Sequence, residues 1–290
     1  MKNNIKLIDV LTILLMLCSC SSKTNEKPEN STETITESQE KSPEITATPE
    51  PMADSILSSE KISHSYGVAK NGEANIISKD AQRFFDEKNF KAFCLDTKST
   101  EKVLYLTFDC GYENGYTSKI LDVLKDKNVN ATFFCTLPQV KENPDLIRRM
   151  IDEGHIVGNH STTHPSFAEI TTEQMVAEVK EMEDYLKSEF NYSEPYFRFP
   201  KGEYNEIALN KLNELGYTCV FWSLAYADWD LNNQKGSKYA YNTVTSRLHP
   251  GAVILLHSVS PDNANSLADI IDEAEKQGYK FLSLRDYLKN

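Results

Sequence analysis

The sequence predicts an α/β fold: a parallel sheet of about seven strands curled into a distorted (β/α) barrel and preceded by a disordered linker. Three observations carry this expectation. From residue 103 onward, short apolar runs alternate with helical patterns, and repeated βα units build parallel sheets covered by helices. Gly154, Gly216 and Gly278 each stand just past a helical pattern, where a left-handed cap is favoured. Residues able to carry acid, base or metal chemistry fall at the ends of the apolar runs, where such barrels keep their active sites.

The first strand is expected over 103–108, followed by a helix over 118–127. A strand over 131–136 leads to a helix over 144–153, whose Pro144 suits a first helical turn. A strand over 155–158 leads to a long helix over 171–190, and one over 196–199 to a helix over 205–215. Strands over 218–224 and 253–256 precede helices over 240–248 and 266–277. A last strand falls near 279–284, and no repeat of solenoid period is evident.

Ahead of this domain, expected to run over 64–290, the composition differs. Residues 1–20 place Lys2 and Lys6 before an apolar run over 10–17, too short to cross a bilayer as a helix, and read as a signal peptide. Its end, Leu17-Cys18-Ser19-Cys20, resembles a bacterial lipobox. That implies cleavage before Cys20 and diacylation of its thiol, and two acyl chains suffice for stable anchoring. The expected location is therefore extracytoplasmic, on the outer face of the bacterial cytoplasmic membrane; an uncleaved anchor or a buried N-terminal helix is the alternative. Residues 21–63 read as a linker rich in Ser, Thr, Pro and Glu. Within 21–60, three Lys face nine Asp and Glu with no aromatic residue, too little apolar surface to offset the entropy of ordering. That stretch holds half of the net charge of -12, which argues against nucleic acid as a partner. Cys94, Cys110, Cys135 and Cys219 do not form a dense framework, and no obligatory disulfide is expected.

The strand exits read TFDCG (107–111), HSTTH (160–164), RFPKG (198–202), ADW (227–229) and LLH (255–257). His160 and His164 are four apart, a spacing at which two imidazoles can share one metal. Alone, such a pair is more often two surface histidines; together with the other four exits it points to a metal. Asp109 ends the apolar stretch YLTF, which suits a general base, and Arg198 could hold that carboxylate ionised through a bidentate pair. Asp228 bonded to one nitrogen of His257 would set its tautomer and raise its basicity, making His257 the candidate general acid.

In order, and over roughly residues 100–285, these exits resemble the five motifs of the polysaccharide deacetylase family (the NodB homology domain, carbohydrate esterase family 4). The strings TFDCGYENGYT, GNHSTTHPS, FWSLAYADWD, NNQKGSKYAY and HPGAVILLHSVSPDNANSLADII resemble more closely its spore-cortex branch, the δ-lactam-biosynthetic de-N-acetylases, with the likeness reaching upstream to about Ser65. The resemblance implies the barrel and a divalent metal, Zn2+ ahead of Co2+, Mn2+ or Mg2+. It also implies removal of N-acetyl groups from peptidoglycan amino sugars, N-acetylmuramic acid above all, on the route to muramic δ-lactam.

By the same resemblance Asp109 is the catalytic base, His160 and His164 are metal ligands, and Arg198 orients the base. Asp228 supports the catalytic His257, and the backbone N–H of Lys201 is the oxyanion donor. Trp222, Trp229 and Leu255 line an acetyl pocket or sugar platform, or simply pack. One position departs from the pattern: most of the family has a second Asp after the base to complete the metal site, where this chain has Cys110. A thiolate there could ligate zinc, which is the expectation for this position; a thiol would pack as a small hydrophobe. Deacetylation of an N-acetylglucosamine polymer or acetylated xylan is an alternative. So is a non-catalytic wall-binding module, although a decayed site has little reason to keep Asp109, Arg198, Asp228 and His257.

Overall fold

The computed structural model describes residues 57–287. The expected signal segment with Cys20, and the linker up to residue 56, lie outside the described residues. The strands are β1 (Ile62–Ser63), β2 (Ala92–Phe93), β3 (Val103–Cys110), β4 (Thr132–Cys135), β5 (Ile156–Asn159), β6 (Tyr196–Phe197), β7 (Glu203–Tyr204), β8 (Thr218–Val220), β9 (Ala252–His257) and β10 (Lys280–Phe281). Eight of them form one sheet in the order β10-β3-β4-β5-β6-β8-β2, with β9 also paired to β3. Every pairing in that sheet is parallel. Bridges Leu95–Ala252 and Leu224–Ile254 tie the β2/β8 end back to β9, so the sheet curls into a distorted barrel. The seven expected strands are all present; β2 adds to them because two residues are too few to show a pattern.

All eight residues of β3 are buried, as befits a parallel strand covered on both faces. Its alternation still sorts them. Leu104, Leu106, Phe108 and Cys110 join the layer between sheet and helices, while Val103 and Tyr105 belong to a second core with Phe134, Ile156 and Val253. Thr107 and Asp109 continue that second face toward the barrel mouth, since strand side chains alternate.

The expected helices appear as Thr117–Asp126, Pro144–Asp152, Thr172–Phe190, Glu206–Glu214, Ser237–Thr245 and Pro261–Lys276. The last begins five residues before the predicted start, because Ser260 caps it and Pro261 opens it, a signal that its place just after a strand obscures. The helix Ile76–Glu87, with Asn75 as its cap, is an addition to the predicted set. Gly154, Gly216 and Gly278 have φ of +85°, +92° and +85°, as their cap positions require. Order also starts earlier than residue 64. The Glu206 N–H donates to Ser58 O, Asn205 Nδ2 donates to Ser59 O, and β1 pairs antiparallel with β7. This polar stretch shows no apolar pattern, and its order comes from partners distant in sequence: residues 203–206, the Lys61–Glu169 ion pair and the packing of Ile62 on the core. Among the described residues, no helix is long and apolar enough to cross a membrane, and the four cysteines are free and buried.

Candidate active site

A cavity of about 540 Å3 opens at the C-terminal ends of the strands, a size suited to a small-molecule or sugar group. Asp109, His160, His164, Lys201, Trp222, Trp229, Leu255 and His257 all line it. Asp109 and His257 are register partners on β3 and β9, so the two proposed proton carriers enter the cavity side by side.

Arg198 leaves β6 fully buried and organises the floor. Its Nη1 donates to Asp109 Oδ1 at 2.8 Å and to Thr107 Oγ1 at 2.9 Å. Nε and Nη2 donate to the carbonyls of Val220 and Phe221. The expected bidentate pair is therefore replaced by a single bond to Asp109, because the rest of the fork is committed to the barrel backbone. Thr107 passes the network on by donating to Ile254 O at 2.7 Å. Burial alone would raise the Asp109 carboxyl, but the charge of Arg198 and its hydrogen bond, with a smaller part from the facing imidazoles, outweigh it and hold the group below its ordinary range. Asp109 Oδ2 is left beside His160 Nε2, 3.6 Å away.

His257 is treated the opposite way. Its Nδ1 donates to Asp228 Oδ1 at 2.7 Å, and its backbone N–H donates to Asp228 Oδ2 at 2.8 Å, leaving Nε2 for the cavity. Burial works against the imidazolium, yet Asp228 outweighs it and raises the His257 pKa above its ordinary value of 6.5. Asp228 is itself held by Asn263 Nδ2 at 2.5 Å, and its carbonyl accepts from Gln234 Nε2 at 2.8 Å.

His160 Nδ1 donates to Arg198 O at 2.8 Å, which fixes the tautomer and leaves Nε2 with its lone pair. Burial keeps both imidazoles neutral, as ligation requires: it lowers the pKa of His160 and, together with the neighbouring His160, brings that of His164 to about 4. Two imidazoles bound to one ion at about 2.1 Å and near-tetrahedral angles have ring centres about 5 Å apart; these rings are 4.9 Å apart, inclined at 74°. His160 and His164 thus fit a shared divalent ion. No cluster of three or more His, Cys, Asp or Glu suited to a metal is assembled among the described residues.

Cys110 does not join them. It is wholly buried in the layer between sheet and helices and is not among the residues that line the cavity, although Asp109 and Gly111 on either side of it are, and its register partner on β4 is Cys135. The expectation of a Cys110 thiolate ligand is therefore corrected. The one-residue step from Asp109 turns the side chain to the opposite face of β3.

Three contributors carry no signal in the sequence. Asn263 holds Asp228 from the first turn of the helix Pro261–Lys276. Glu178, on the helix Thr172–Phe190, accepts the N–H groups of Thr162 and Thr163 at 2.9 and 2.7 Å. That steadies a loop in which Ser161 and His164 both have positive φ, a conformation that non-glycine residues adopt at a cost. His64 lines the cavity and donates from Nε2 to Trp222 O at 2.8 Å. Trp222 packs with Leu255 and Ala225 into an apolar wall. Trp229 is 51% exposed, its ring 5.5 Å from that of His257.

The model of the family described as polysaccharide deacetylase matches residues 96–220. The chain is 48% identical over 202 residues to the peptidoglycan-N-acetylmuramic acid deacetylase PdaA of Bacillus subtilis, covering 69% of this chain and 76% of that protein. It belongs to the polysaccharide deacetylase family. The solved structure of Bacillus subtilis PdaA, a family 4 carbohydrate esterase, superposes with a TM-score of 0.76 at 43% identity, covering 80% of this chain and 100% of that one. A peptidoglycan-N-acetylglucosamine deacetylase of Bacillus cereus is 33% identical over 185 residues, 62% of this chain and 66% of that protein. As a polysaccharide deacetylase the chain is a hydrolase, and the chemistry of the family is metal-dependent.

Proposed function

We propose that this enzyme removes N-acetyl groups from peptidoglycan, with N-acetylmuramic acid as its sugar, on the route to muramic δ-lactam in spore cortex. The observation that carries the catalytic reading is the pairing of Asp109, held ionised by buried Arg198, with His257, whose protonated form Asp228 favours, on register-paired strand ends at one cavity. The muramic assignment is supported by the higher identity to the N-acetylmuramic acid deacetylase, 48%, than to the N-acetylglucosamine deacetylase, 33%.

In this reading Asp109 Oδ2 takes a proton from water as the water oxygen adds to the acetamide carbonyl. Lys201, which lines the cavity with a left-handed φ of 58°, would offer its backbone N–H to the developing oxyanion. His257 Nε2 then donates its proton to the nitrogen as the C–N bond breaks, giving acetate and a free amine. His160 and His164 would hold a divalent ion, zinc by preference, which supplies polarisation of the acetamide carbonyl and acidification of water. Trp222, Leu255 and Ala225 form an apolar wall suited to the acetyl methyl, and Trp229 an exposed face suited to sugar stacking. Lipidation at Cys20 would place the enzyme on the outer face of the cytoplasmic membrane, beside its polymer.

The test is incubation of the purified protein with peptidoglycan fragments, after chelation and with zinc restored, followed by mass spectrometry. Loss of acetyl from muramic residues only when metal is present is the expected result. Unchanged fragments under both conditions would favour a binding module, and loss confined to glucosamine residues would reassign the sugar.

A further inference from the structure

We infer that the Lys201 side chain selects the sugar by pairing with a carboxylate adjacent to the acetamide, the 3-O-lactyl carboxylate of N-acetylmuramic acid. This rests on the muramic reading above and assigns that preference to a residue.

Lys201 is the only Lys or Arg among the described residues lining the cavity. Arg198 lies at the floor, but it is fully buried and its donors are committed to Asp109, Thr107 and two backbone carbonyls. Lys201 is exposed and takes part in none of the ion pairs among the described residues. The carboxylate nearest to it in sequence, Glu203, is already bonded to Lys61 Nζ at 2.9 Å. Lys201 lines the same cavity as Asp109, His164 and His257, so its side chain belongs to the end of the molecule where the reaction takes place. The chain as a whole carries a net charge of -12, which offers an anionic substrate no general attraction. Recognition of an anion must then come from a local cation.

In N-acetylmuramic acid the acetamide is on C2 and the lactyl ether on the adjacent C3. A sugar seated with its acetamide between Asp109 and His257 therefore brings its carboxylate to the rim of the same cavity. N-acetylglucosamine has a hydroxyl there, and an esterified or peptide-linked lactyl group is neutral. Either leaves the ammonium without an anion, whereas a charge pair with an exposed ammonium is worth up to about a fivefold preference.

The experiment compares a disaccharide containing N-acetylmuramic acid with its lactyl methyl ester, using the zinc-loaded wild type, Lys201→Met and Lys201→Arg. The wild type should prefer the acid by about fivefold in kcat/KM, chiefly through KM, and the preference should shrink with added salt. Lys201→Met should bring the acid-to-ester ratio near one, and Lys201→Arg should keep most of it. Using a ratio within each variant separates recognition from any general loss of turnover. Wild-type preference retained in Lys201→Met overturns the inference, as does a wild type that hydrolyses both muramic substrates equally; the muramic reading survives either result. Turnover of N-acetylglucosamine oligomers alone defeats the muramic reading itself, and the inference with it.

Discussion

Asp109 and Asp228 are the same side chain at similar depth, 8% and 1% exposed, one on β3 at the cavity and the other in the loop after β8, behind His257. Their surroundings separate them. Asp109 gives one oxygen to Arg198 and keeps the other facing the cavity, whereas both oxygens of Asp228 are consumed by His257 and Asn263. A carboxylate with a free oxygen can accept a proton from a reactant; one with none can only orient and charge its neighbour. The difference in role lies in the partners rather than in residue type or burial.

The largest test of that contrast is Asp109→Asn. Removing the base should lower kcat by about 10³-fold while metal content stays stoichiometric, because the amide oxygen of the substituted side chain still accepts from Arg198 and no histidine is touched. Turnover within tenfold of wild type would take Asp109 out of the proton transfer.

Asp228→Asn should act less strongly and by a different route. His257 must be protonated to serve as the acid, so activity is lost as pH rises through its pKa, and Asp228 is what raises that pKa above 6.5. With the charge gone, the alkaline limb of the kcat/KM profile should move to lower pH and kcat should fall by about 10²-fold. A profile that drops uniformly without moving its alkaline limb contradicts the assigned role of Asp228.

The smallest effect is expected one residue beyond the base, on the other face of β3. Cys110→Ser should leave zinc affinity and turnover within a few-fold of wild type. Cys110→Asp should lower stability by on the order of 3 kcal/mol, the consequence of burying a carboxylate without a partner, with no tighter zinc binding. Chelator competition and thermal melts decide it: an increase in zinc affinity in Cys110→Asp would restore this position to the metal site.

Cys110 also shows where sequence reasoning stopped. VLYLTFDC is buried along its whole length, so its pattern shows no polar face, and the orientation of residues 109 and 110 cannot be told from hydropathy. Glu178 and Asn263 were illegible for another reason. Each sits in a helix whose spacing gives it an unremarkable polar position, and its partner lies 16 or 35 residues away.

Local sequence suffices for the succession of strands and helices along the chain, the acidic character of the linker segment, and the placement of Asp109, His160, Arg198 and His257 at strand ends, with Asp228 in the loop that follows β8. Apolar periodicity, glycine caps and residue type are local properties, readable along the chain. The tertiary structure decided which oxygen of Asp109 stays free, which nitrogen of His160 and of His257 faces the cavity, and that Cys110 packs against the helices. Those outcomes depend on donors and acceptors supplied by distant segments, Arg198 O for one imidazole and Asp228 for the other, and such partners meet only when the sheet curls.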